Sequence, residues 1–120
     1  MADKHIADHG LTKTHQADEA LEGNRFVKPV TATGVAPHVV YADSGEVAIG
    51  VNRDKIDSGK LADIVYDGTA YVMTSENIAA GQLVSSDNDG KAQVLAGSEY
   101  LCGVAVSDAN SGEFVKVKLV

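Results

Sequence analysis

An all-β fold, a small β-barrel carrying an extended N-terminal arm, is what three features of the chain predict. From Arg25 onward, short apolar runs are punctuated by Gly, Asp, Asn and Ser, the texture of brief strands joined by tight reversals. Asp43-Ser44-Gly45, Asp67-Gly68 and Asn88-Asp89-Gly90 stand between those runs, where residues that accept positive φ are needed. A strand-turn-strand pattern also occurs twice, in Glu46 to Tyr66 and in Tyr100 to Val120. Gly50, Val51, Ser58, Gly59, Leu61 and Ile64 are matched by Gly103, Val104, Ser111, Gly112, Phe114 and Val117, each pair 53 positions apart with no gap. Each copy is an apolar strand ending in Gly-Val, a polar excursion, a Ser-Gly turn and a second strand with alternating apolar residues. Alternation buries one face of a strand, because successive side chains point to opposite sides.

Taken in order, Met1 to Asn24 reads as the arm and residues 25–120 as the barrel domain. The arm holds three of the four histidines, many acids, and the isolated apolar residues Ile6, Leu11 and Leu21. Such a composition buries too little to order itself and is expected to be extended until it meets a surface. His15 to Glu22, followed by Gly23, has the makings of one short helix, although a helix of that length is marginal alone. Strands are expected near Phe26–Ala32, His38–Ala42, Glu46–Val51, Leu61–Tyr66, Ala70–Thr74, Gln82–Ser86, Lys91–Leu95, Tyr100–Val106 and Glu113–Leu119. Upstream of the well-matched copies, Gly34-Val35 resembles Gly81-Gln82-Leu83, and Ala42 to Gly45 resembles Ala96-Gly97-Ser98, so the repeat is read as half a barrel.

With 120 residues the chain is one domain, long enough to bury a core without metal or disulfide. That core is light, since there is no Trp and only Phe26 and Phe114 supply phenyl rings; self-association would add burial. A net charge of −7, with the basic residues dispersed, argues against a general hold on nucleic acid. Lys116 and Lys118 alternate with apolar residues and read as a solvated strand face. The single cysteine, Cys102, aligns with Ile49 and reads as a small buried hydrophobe, which fits a reducing compartment. No run approaches a membrane helix, and the N-terminus lacks the apolar core of a secretory signal. A protein made in the cytoplasm, with no membrane partner, is expected.

Chemistry is hard to place on this chain. His5 and His9 have the i, i+4 spacing of a helical metal pair, but no third ligand accompanies them. Ser85, Asp87, Asp89 and Gly90 fit the start of a calcium loop whose twelfth position, which should be acidic, is Ala96. His38 is the sole histidine after Asn24, no G-x-S-x-G elbow presents a serine, and Gly59-Lys60 lacks the remainder of a phosphate loop. No catalytic, cofactor-binding or metal residues are therefore assigned. The rival reading is a lipoyl- or biotinyl-like carrier, with Lys91 after the Asp89-Gly90 turn as the modified residue, or a small-ligand-binding β-domain.

The run Ile78 to Val120 resembles the capsid decoration, or cement, proteins of tailed bacteriophages. Ala80-Gly81 before an apolar strand, the Gly90-Lys91-Ala92 hairpin, Gly103-Val104-Ala105, and Ser111-Gly112-Glu113 leading into the last strand carry the resemblance. A looser version spans the first copy, from about Phe26. The resemblance implies a compact β-barrel, commonly a homotrimer, on the outer surface of the virion head. It would clamp neighbouring subunits of the major capsid protein and have no enzymatic activity. In that setting the arm is expected to touch the capsid through His5, Ile6, His9, Leu11, His15 and Leu21.

Overall fold

Alternating burial organises the strands. Along Leu61–Val65 the side chains of Ala62 and Ile64 are buried, and along Phe114–Leu119 those of Val115, Val117 and Leu119, with exposed or half-buried residues between them. The computed structural model describes residues 10–30 and 38–120. Among these residues ten strands run in chain order: β1 Thr12–Gln16, β2 Arg25–Val30, β3 His38–Tyr41, β4 Gly50–Asn52, β5 Leu61–Val65, β6 Thr69–Met73, β7 Leu83–Ser86, β8 Ala92–Val94, β9 Gly103–Ala105 and β10 Phe114–Leu119. They form two five-stranded sheets, ordered β1-β5-β4-β2-β3 and β6-β10-β9-β7-β8. Every pairing within the sheets is antiparallel. Among the described residues the fold is all-β, without a helix.

The two sheets follow one plan, since adding five to each strand number of the first order gives the second. Val27 faces Gly50 as Val84 faces Gly103, and Val51 faces Val65 with the same offset that the β9–β10 strands keep. From β3 to β5 the offset to the second sheet is 53 positions, as read from the sequence, and in β1 and β2 it is 57. One parallel bridge links the residue after β1 to β3, Ala17 to Val39, and an equivalent one links the residue after β6 to β8, Thr74 to Ala92; the described residues form two antiparallel sheets rather than the one small barrel expected. Gly50 and Gly103 occupy equivalent places, and a Cβ on either would collide with the carbonyl of Val65 or Lys118 across the ladder. That close approach requires glycine at both.

Two cores result. Ala17, Leu21, Val27, Val39, Ala62 and Ile64 fill the first sheet. The second cluster fills the other sheet with Ile78, Val84, Ala92, Val115 and Val117, and also takes Phe26, Val51 and Val65 from the outward face of the first. One half therefore packs against the other. The equivalent outward residues of the second sheet are Leu83, half-buried Val104 and exposed Lys118, so solvent meets there what the first sheet buries.

The nine expected strands are all present, with β4 and β9 three residues each instead of the longer runs expected. The arm needs correction. Gly10 to Asn24 belongs to the first sheet: β1 pairs with β5 from Thr12–Val65 to Gln16–Leu61, and Ala17 and Leu21 are buried. No helix forms over His15–Glu22, because this segment satisfies its backbone across the fold. Ala17 N–H donates to Lys60 O, and Leu21 exchanges hydrogen bonds with Ile56. Gly81 corresponds to Asn24, not to Gly34; Asn24 and Gly81 have positive φ of 62° and 93°, and donate to Asn52 O and Ala105 O respectively. Gly34, Val35 and the end of the expected Phe26–Ala32 strand lie outside the described residues.

Candidate functional site

Groups that chemistry would need are largely engaged in holding the fold. Asp87 Oδ1 accepts from the N–H groups of Asp89 and Lys91, both at 2.8 Å, so the loop considered for calcium is a hydrogen-bonded turn. No cluster of three His, Cys, Asp or Glu side chains able to hold a metal occurs among the described residues. Lys91 follows a hairpin that is fastened to the first sheet. Gly90 O accepts from Phe26 N–H at 2.7 Å, and a Cβ on Gly90 would meet Phe26 O, which does not suit a lysine that must swing between sites.

His38 Nδ1 lies 2.6 Å from Asp18 Oδ1 and ties β3 to the chain after β1. His15 is buried inside the first sheet, its ring stacked 5.7 Å from that of Tyr66 and its Nε2 hydrogen-bonded to the Tyr66 hydroxyl. Burial pushes the Tyr66 hydroxyl pKa up. Burial also pushes the Cys102 thiol up to about 12, which keeps it protonated and inert as a nucleophile. Lys28 bonds Asp43 at 2.6 Å and Glu46 at 3.0 Å, and those hydrogen bonds raise its pKa.

A surface hollow of about 410 Å³ in the second half is lined by Gln82, Asp108, Asn110 and Glu113. Its acceptors are engaged: Gln82 takes Ala79 N–H, Asp108 takes Ala80 N–H, and Glu113 takes Asn110 N–H. A groove of about 350 Å³ at the seam of the two halves differs, being lined by Arg25, Arg53 and Lys55 together with Met73 and Phe114. Sequence reading missed these cations. The aligned copies held the signal, since Arg53 and Lys55 stand opposite Val106 and Asp108.

The expected contact residues fall into three groups. His5, Ile6 and His9 lie outside the described residues. Leu11 is 48% exposed, while its N–H is held by the Asp67 carboxylate and its carbonyl accepts from Tyr66 N–H. His15 and Leu21 are 7% and 1% exposed and serve the protein's own core, so they offer nothing to a partner while folded. The described residues can therefore present surfaces and grooves, and among them no nucleophile, base and acceptor come together in one place.

The family described as phage cement protein matches residues 7–119. No curated protein matches the chain. Among solved structures, the head fiber gp8.5 N base of bacteriophage phi29 is similar at a TM-score of 0.78 and 18% identity, over 92% of this chain and 93% of that one. At that identity the likeness is one of fold.

Proposed function

Since the chain belongs to the phage cement protein family, we propose that it is a cement protein that binds the outer surface of the assembled phage head and clamps neighbouring subunits of the major capsid protein. The observation that carries this reading is the family match over nearly the whole chain. The fold likeness to a phage head fiber base supports it, as does a body in which the polar groups serve structure. The family is one of structural phage proteins, and the role needs no chemistry. A ligand that prefers the assembled lattice stabilises it by mass action.

In this proposal the protein is made in the host cytoplasm and joins the virion. Each sheet is read as a small barrel closed at its single bridge, and the pair as the product of duplication, which the shared strand order supports. Met1 to His9, with His5, Ile6 and His9, and the exposed Leu11 beside them reach the capsid. Three chains associate, so that three weak attachments act together and exceed the affinity of one.

Heads of the encoding phage that lack this protein provide the test. Purified chain should sediment with them to a saturating ratio, and a variant without residues 1–9 should fold, because β1 begins at Thr12, yet sediment far less. Full coating by that variant would remove the N-terminal residues from the attachment. No sedimentation of the intact chain would remove the cement reading itself.

A further inference from the structure

We propose that the groove between the two halves is a docking site for an extended acidic segment of a partner protein, with Arg53 and Lys55 as its carboxylate-binding residues. The identity of the partner, a capsid protein, rests on the function proposed above; the groove and its preference do not.

Three observations support this. First, the groove concentrates positive charge on an acidic molecule. Among its lining residues Arg25, Arg53 and Lys55 face two acids, Glu22 and Asp54, a local net of +1 on a chain of net −7. Glu22 and Lys55 are 3.9 Å apart and 55% and 73% exposed, too loose a pair to neutralise the site.

Second, the donors are not fully used. The Nε atoms of Arg25 and Arg53 are buried and have no acceptor among the described residues. Arg25 is anchored elsewhere, with Nη1 donating to Asp89 O at 3.1 Å and its guanidinium 5.8 Å from the Tyr41 ring. Arg53 donates its backbone N–H to Asp63 O. A guanidinium is a planar fork suited to a carboxylate, and that of Arg53 lines the groove without an ion-pair partner among the described residues.

Third, the fold does not require these cations. The second half builds the same backbone places with Gln82, Val106 and Asp108 where the first has Arg25, Arg53 and Lys55. The correspondence is fixed by shared hydrogen bonds, Arg53 N–H to Asp63 O and Val106 N–H to Lys116 O. Charge at one copy of a repeated position, and its reversal at the other, is what a site on one half requires. The floor explains the preference for an extended segment with apolar residues. Met73 and Phe114 line the groove, and beyond Phe114 the surface continues into a second hollow of about 520 Å³ lined by Tyr71 and Glu113. A nucleic acid is disfavoured because it carries a charge at every nucleotide and would run on over the acidic surface outside the groove, whereas a short segment keeps its few carboxylates at Arg53 and Lys55.

The test uses the full chain and two probes. An acetylated, amidated peptide of alternating Glu and Leu, five residues long, is titrated while backbone amide shifts are followed by NMR. Shifts should centre on Gly23, Arg53, Lys55 and Met73. The double variant Arg53→Val, Lys55→Asp, which carries the residues of the second half and should keep the melting temperature, should bind at least ten-fold more weakly; Lys118→Gln should bind as the parent does. Absent or scattered shifts, or equal binding by the double variant, overturn the proposal, and stronger uptake of a single-stranded oligonucleotide in the same groove overturns the choice of a carboxylate. The second probe is the head preparation described above. If the parent ignores heads while the peptide still occupies the groove, the cement reading falls and the groove stands. If the double variant coats heads as the parent does and the peptide avoids the groove, the groove falls and the cement reading stands.

Discussion

Leu21 shows how a single side chain changes meaning between sequence and fold. In the sequence it is one isolated apolar residue among acids, in a stretch that reads as an arm with at most one short helix. In the structure it is buried against Ile56 and belongs to the core of the first sheet. Leu21→Ala should therefore destabilise the chain by about 2 to 5 kcal/mol, read as a lower midpoint in chemical denaturation; an unchanged midpoint would return Leu21 to the surface. Cys102 was legible, because its alignment with Ile49 already marked an apolar place. Its thiol pKa rises from 9.0 to about 12 on burial, so the fold favours the protonated form. The linked stability is complete below about pH 9 and is lost as pH climbs toward 12, at most about 4 kcal/mol. Lys28 and Tyr66, also raised, lose their contributions in the same direction. Cys102→Val should flatten the alkaline limb of a stability–pH curve measured by denaturant titration, and an unaltered limb would show that the thiol is not its source.

At the scale of elements, the repeat was the most informative signal and β1 the least visible strand. β5 and β10 advertise themselves by alternation, and Gly50 and Gly103 by their common close contact. β1, Thr-Lys-Thr-His-Gln, has no apolar residue, and what holds it is the ladder to β5, a partner some fifty positions away that no local pattern can reveal. Its counterpart β6 carries Ala70 and Val72 on the buried face and was found for that reason. The seam groove escaped for a different cause: scattered cations in a sequence give no sign of which of them a fold will gather. Hydrogen–deuterium exchange decides the status of β1. Peptides covering Thr12 to Leu21 should be protected to a degree comparable with β2, whereas immediate exchange would restore the free arm through Asn24.

For the whole molecule, two sheets joined through Phe26, Val51 and Val65 make a flattened body with extents of 40 × 37 × 22 Å. A flat body of that kind offers broad faces for the attachment proposed above, and its net negative charge disfavours non-specific clumping. The family membership and the all-β class were within reach of the sequence, since both rest on the order of strands and turns. The division into two sheets was not, because the sheet to which a strand belongs is set by distant pairing. Calorimetry of phage heads with and without the added chain is the most direct test of the central claim. A cement protein should raise the temperature of head disruption in proportion to the sites filled, up to saturation. Heads that come apart at the same temperature in a saturating excess of the protein would contradict it.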